Sequence, residues 1–398
     1  MRLAKRMDLI VPSQTVEVTT RAALLKAQGV DVVSFAPGEP DFETPEHIRE
    51  AAKRALDAGA TKYTPVAGTP ALRQAVAGWF SQAHGLSVSP EEVMVSTGAK
   101  QVVWNAFLAV LGEGDEIIVP APHWVSYSEI ATLCGAKTVR VMARPEEGFV
   151  VDPEAVRAAI TPRTRALLLA SPCNPTGAVF GAATVQALAE LAVAHDLWLI
   201  TDDIYRSLIY GDAHFVQPAV LSPEVRARTI VADGVSKAFA MTGWRIGFAL
   251  APPQVITAMV TLQSQSTTNA AAVCQAAALA AITGPTDELE QMRREFDERR
   301  RLMLAGLRAI PGATCVEPRG AFYCFPDFST FVGRRTPAGK VIDGDLGLCQ
   351  YLLEVAKVAV VPGSAFFGPG FVRFAYATSR ANIEKGLARV ANALGQLR

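Results

Sequence analysis

Between residues 93 and 250, short apolar runs alternate with longer segments of helical period. The runs fall near Val93–Ser96, Glu116–Val119, Thr138–Met142, Ala166–Ala170, Trp198–Thr201, Thr229–Ala232 and Ile246–Leu250. Several are apolar at successive positions, so both faces must be covered, as in a mostly parallel sheet sandwiched by helices. That pattern restricts the chain to an α/β fold with its ligand site at the carboxyl ends of the strands. Helix signals flank the strands. Thr69-Pro70 offers a cap and a first-turn proline for a helix reaching Gln82. In Glu46–Ala58, Ile48, Ala51, Ala52, Ala55 and Leu56 form one stripe, which Gly59 ends.

A change of composition at Thr283-Gly284-Pro285 precedes a charged helix, Asp287 to Ala309, and then short strands and further helices. This predicts a large domain over residues 36–284, a smaller α+β domain over 285–398, and an arm over 1–35 packing on the smaller one. With 398 residues, half of them apolar, the chain can bury two cores. Residues Gly333 to Asp345 read as a loop. Arg299-Arg300-Arg301, interleaved with acids, reads as a solvated helix face.

Lysine plus arginine and aspartate plus glutamate both number 38, so no basic surface recommends nucleic acid as a partner. The 6 cysteines contain no CxxC pair and read as reduced thiols, with neither a disulfide framework nor a metal site. The basic Met1–Met7 segment lacks a following apolar stretch, and Ala270–Ile282 is too short to span a bilayer. A cytoplasmic protein is expected. No G-x-G-x-x-G is present; Gly112-Glu113-Gly114 reads as a turn before a strand, which argues against a nicotinamide enzyme.

Lys237 lies in Asp233-Gly234-Val235-Ser236-Lys237, just after an apolar run and before Thr242-Gly243-Trp244-Arg245. Alone it reads as a surface lysine. Its placement also suits condensing with an aldehyde cofactor, moving a proton, or sharing a phosphate with Arg245. The chain further carries Ser171-Pro172-Cys173-Asn174-Pro175, Asp202-Asp203-Ile204-Tyr205 and Phe371-Val372-Arg373-Phe374. From about residue 10 to its end the sequence resembles the class I and II, fold type I aminotransferases that use pyridoxal phosphate (PLP), most closely the bacterial aspartate aminotransferase branch.

The resemblance implies the following roles. Lys237 is the covalent attachment and proton shuttle, and Asp202 faces the ring nitrogen. The residue type alone leaves Asp203 as a rival, or either as a helix cap. Asn174 and Tyr205 donate to the ring oxygen. Trp124, in Pro122-His123-Trp124-Val125-Ser126-Tyr127, stacks on the ring. Ser96-Thr97-Gly98-Ala99-Lys100 ends a strand and opens a helix, so the amides of Gly98, Ala99 and Lys100 can bind phosphate, with Arg245 and Ser236. Gly234 stands where many relatives carry a further serine. Tyr63 would reach the phosphate of a partner subunit, implying a homodimer with shared active sites. Arg373 would grip the substrate carboxylate, with Gly38, Trp124 and Asn174 lining the substrate side; the loop around Gly38 would be a lid.

The activity implied is ping-pong transfer of an amino group from an L-amino acid to a 2-oxo acid, of aspartate/2-oxoglutarate type. Aromatic or broad specificity and β-elimination remain open on this scaffold, as does a non-catalytic PLP-binding role. No lysine or arginine occurs from Gln101 to Ala136, where aspartate-preferring relatives often carry one. Val11 precedes Pro12-Ser13, where prephenate-accepting relatives tend to be basic.

Overall fold

The computed structural model describes residues 2–12 and 14–398; Met1, and Ser13 of the Val11-Pro12-Ser13 stretch, lie outside them. Among the described residues one 7-stranded sheet dominates. Its strands in chain order are β1 (Val93–Ser96), β2 (Glu116–Ala121), β3 (Lys137–Met142), β4 (Thr164–Ala170), β5 (Trp198–Asp202), β6 (Thr229–Gly234) and β7 (Gly247–Leu250). The spatial order is β1-β7-β6-β5-β4-β2-β3. All pairings are parallel except those of β7, which runs antiparallel to both β1 and β6. An apolar run carries no sign of direction, so only the structure reveals the reversed strand.

Strands β1, β2, β6 and β7 are buried at every position. One face packs Val102, Val103 and Phe107 of helix Ala99–Val110 and Met259 of Pro253–Ser264. The other packs Leu188, Ala189 and Ala192 of helix Ala182–Ala194. Helix Pro70–His84 begins at the expected cap, with the Thr69 side chain accepting from Leu72 N at 3.3 Å, and ends at Gly85 in the left-handed region.

A second core is built mostly from residues beyond 287, where Phe296, Met303 and Leu307 of helix Asp287–Arg308 meet Ile383 and Val390 of Arg380–Gly395, with Val33, Phe35, Tyr205 and Tyr210 joining from earlier in the chain. The helix Gln14–Ala27 adds Ala22 to a small cluster with Leu353 and Ala359, and Val33–Ser34 pairs in parallel with Val358–Ala359. In the Gly333 to Asp345 stretch, Arg335 bridges Val341 and exchanges backbone bonds with Arg398.

The charged helix corrects one expectation. Arg299 and Arg300 are 7% and 5% exposed, not solvated. Arg299 pairs with Asp41 at 2.6 Å and Glu295 at 2.9 Å; Arg300 pairs with Asp297 at 2.8 Å and Glu317 at 2.6 Å. Asp41 and Glu317 are distant in sequence, so local charge alternation could not reveal this burial. No helix among the described residues is long and apolar enough to cross a membrane.

Candidate active site

The carboxyl ends of β4, β5 and β6 open onto a cavity of about 230 Å³. Lys237, Asp202, Tyr205, Asn174, Arg373, Arg245, Trp124, Ser236, Gly38, Ala99 and Lys100 all line it. The β5 pairing register brings Ala170 beside Asp202, and Asp202 beside Ala232, so the residues that follow each strand converge.

Asp202 and Asp203 point to different environments. Asp202 faces the cavity; its carboxylate accepts from Tyr127 Oη at 2.6 Å and from Ile204 N at 3.3 Å. Burial raises its pKa to about 6, against the pull of those two bonds. Asp203 does not line the cavity and is held by the side-chain amide of Gln217.

The Lys237 ammonium donates to Gly38 O at 2.6 Å. Burial lowers its pKa to about 8, so roughly a tenth of the side chain is neutral at pH 7, far more than for an ordinary lysine. Tyr205 Oη shares a hydrogen bond of 2.8 Å with Tyr323 Oη, and burial raises the Tyr205 pKa well above its ordinary value.

Arg373 is 1% exposed. Its Nη1 donates to Asn174 Oδ1 at 2.9 Å and its Nη2 to Ala36 O at 2.7 Å, while Nε is buried with no partner among the described residues. A guanidinium only donates, so the Asn174 oxygen must face it and the Asn174 amide nitrogen is left to donate elsewhere. The loop is framed by cis bonds at Ser171-Pro172 and Asn174-Pro175.

At the far wall, Gly98 has φ of 84° and caps helix Ala99–Val110; Gly98 N donates to Ser96 O at 2.8 Å and Gln101 N to Gly98 O at 3.0 Å, which leaves the Ala99 and Lys100 amides as the open donors. A Cβ at Gly98 would lie 2.5 Å from Arg245 Nη2, so glycine lets the guanidinium approach the helix start. Ser236 lines the same wall. Gly234 cannot easily be the serine of other relatives, because a Cβ there would stand 2.8 Å from Ile246 O.

The side chain of Lys100 enters the cavity as well, its ammonium 4.7 Å from the Trp124 ring centroid, with its pKa lowered by burial and by Arg245. The basic residue absent from 101–136 stands one position earlier. Tyr63 is not among the lining residues; it is 89% exposed. Tyr127 and Tyr323 were not singled out from sequence. Tyr127 lies one helical turn beyond Trp124, which could have signalled it; nothing local marks Tyr323.

These groups fit pyridoxal phosphate. Free helix-start amides and Arg245 suit a phosphate, the buried Asp202 suits a protonated ring nitrogen, and the unpartnered Arg373 Nε indicates an anion-binding guanidinium. Fold and site together define a PLP enzyme of fold type I. Residues 30–390 match the family described as aminotransferase class I and II. The aspartate aminotransferase of Rhizobium meliloti (strain 1021) is 45% identical over 99% of this chain and 96% of its own. The aspartate/prephenate aminotransferase of Thermus thermophilus is 48% identical, covering 99% of each. A crystal structure of the Rhizobium meliloti aspartate aminotransferase superposes with a TM-score of 0.96 over 100% of both chains, and that of the Thermus thermophilus enzyme with maleate with 0.92 over 99% of this chain and 100% of that one. The chain belongs to the class I and II aminotransferases, in the aspartate aminotransferase family.

Proposed function

We propose that this aminotransferase takes its amino group from L-aspartate and passes it to a 2-oxo acid such as 2-oxoglutarate. The observation that carries this reading is the pair of cationic anchors in one cavity, Arg373 and the Lys100 ammonium above Trp124. A substrate with two carboxylates can meet both cations; a substrate with one leaves the Lys100 ammonium without a carboxylate partner. The names of the relatives and the maleate, a dicarboxylate, in one of them agree with it.

Pyridoxal phosphate, when bound, supplies an aldehyde for the amino group and a ring that withdraws electrons from the adjacent carbon. The chain supplies the rest. Arg373 orients the α-carboxylate through its planar fork. Lys237, as a neutral amine, would take the substrate Cα proton at Nζ and deliver it, on the same face, to the carbon that had been the cofactor's aldehyde. Asp202 would hold the ring nitrogen in its protonated form. Tyr205 and the Asn174 amide would donate to the ring oxygen, and Trp124 would cover the ring. Arg245, Ser236 and the amides of Ala99 and Lys100 would hold the phosphate, with the Gly98 amide joining them only on release from Ser96 O.

The same reading assigns residues 36–284 to the cofactor-binding domain, 285–398 to the small domain and 1–35 to an arm upon it. It makes the protein a cytoplasmic homodimer, with the exposed Tyr63 reaching its partner's cavity. The test is kcat/KM over aspartate, glutamate, phenylalanine and alanine for the parent and Lys100→Ala. The expected result is a preference for aspartate that the variant loses by on the order of ten- to a hundredfold, with phenylalanine little changed. Equal loss for all four would remove the dicarboxylate assignment.

A further inference from the structure

Behind the cavity wall lies a second group of buried ionisable side chains that the reaction does not use. Arg206 follows Tyr205 on the loop after β5, and Asp233 lies near the end of β6, just ahead of Ser236 and Lys237. Arg206 Nε donates to Asp233 Oδ2 at 2.5 Å, and the other oxygen, Oδ1, accepts from Gly234 N at 2.7 Å. The guanidinium carbon stands 4.0 Å from the Trp79 ring centroid. Asp233 is 2% exposed and the Arg206 side chain 12%. Neither lines the active-site cavity; Arg206 and Trp79 instead line a separate cavity of about 740 Å³.

We propose that Arg206 is a positioning residue: its bridge to Asp233 ties the end of β5 and the loop after it, which bear Asp202 and Tyr205, to the end of β6 and the segment after it, which bears Ser236 and Lys237, and so fixes the distance between the two halves of the cofactor site. The inference rests on the PLP aminotransferase reading.

Three features of the geometry carry it. The β5–β6 ladder ends at Asp202–Ala232, after which only Asp203 N to Ala232 O, at 2.8 Å, links the two segments through their backbones. Beyond that point Arg206–Asp233 is the side-chain link. Asp233 also grips the amide of Gly234, at the exit toward Lys237, so the bridge acts on the backbone that aims the lysine. Finally, the bridge stacks on Trp79 of helix Pro70–His84, a rigid element outside the site.

The charges around each group set the expected pH response. Lys237 faces Asp202 and Glu39, which favour its cation, and Arg245 and Arg373, which oppose it. Arg206 faces Asp203 and His84, and Asp233 faces Asp203 and Asp202. Removing Arg206 takes away the cation that holds the Asp233 pKa down against burial; at pH values above that raised pKa the unpaired carboxylate favours cations nearby.

The test uses the apoenzymes and holoenzymes of Arg206→Met, Arg206→Lys and the double variant Arg206→Met/Asp233→Asn. The double variant leaves no lone buried charge and so keeps the fold within reach. In Arg206→Met, the affinity of the apoenzyme for pyridoxal phosphate, read by tryptophan fluorescence, should fall on the order of tenfold or more, the scale found for groups that orient ligating side chains. The pH midpoint of the cofactor's absorption band should rise by about half a unit. The double variant should regain the midpoint but not the affinity, because the tie is still missing. Arg206→Lys should recover most of both.

A merely structural residue would lower thermal stability and leave affinity and midpoint at the parent values. That outcome, or parent affinity in the double variant, overturns the proposal. A parent protein that fails to bind pyridoxal phosphate would instead overturn the aminotransferase reading itself.

Discussion

Replacing Asp202 by asparagine should make the apoenzyme more stable and the enzyme nearly inactive. Burial raises the Asp202 pKa from 3.8 to about 6. The unfolded chain therefore loses this proton first as pH rises, and the folded state pays a penalty. Stability from this group is intact below pH ~4, declines as pH passes through about 6, and stays reduced above it. A shift of that size corresponds to about 3 kcal/mol at pH 8. Asparagine removes the charge but has one acceptor oxygen in place of two. It can keep the 2.6 Å bond from Tyr127 or the 3.3 Å bond from Ile204 N, not both. The lost bond costs about 1 kcal/mol, leaving a net gain of about 2 kcal/mol at pH 8 and a net loss of about 1 kcal/mol at pH 4. The assay is urea unfolding of both apoenzymes at the two pH values, beside kcat of the loaded enzymes. Turnover should drop at least about a hundredfold, since the ring nitrogen loses its charged partner. A variant less stable than the parent at pH 8 would refute the desolvation argument, and one with near-parent turnover would refute the placement of Asp202 against the reacting group.

The loop and the lysine yield further predictions. A Cβ at Gly38 would lie 2.9 Å from Tyr323 Oη, which bonds Tyr205, so Gly38→Ala should lower kcat by on the order of tenfold with the fold intact; unchanged kcat would show that the tyrosine pair is not involved. Asp41 anchors the loop carrying Gly38 to Arg299, and Asp41→Asn should raise KM for aspartate by roughly three- to tenfold with kcat little changed, as steady-state kinetics would show. Lys237→Ala should retain native circular dichroism and lose at least about a thousandfold in turnover; a rate near that of the parent would sink the assignment of Lys237.

Much of the large sheet was legible because most of its strands are buried on both faces and so appear as compact apolar runs, the edge strand β3 being the exception. Val93–Ser96 coincides with β1, while β4 and β6 extend beyond their runs to Thr164 and Gly234. Strand direction, and with it the reversal of β7, depends on partners and not on composition. At the site, the resemblance supplied residues that the fold gathers into one cavity. Two features were beyond local reading. Lys100 was legible as a backbone amide donor, but its side chain's direction follows from the turn of helix Ala99–Val110 and from Trp124. Arg299 and Arg300 carry a surface pattern yet are buried, because Asp41 and Glu317 arrive from other segments.

The central claim is tested most directly by a single half-reaction. The purified holoenzyme is mixed with L-aspartate without any 2-oxo acid, and the absorption spectrum and products are followed. Conversion of the cofactor to its aminated form, with one oxaloacetate formed per site, is the predicted result. Release of ammonia and pyruvate, or a spectrum unchanged by aspartate but altered by phenylalanine, would contradict it.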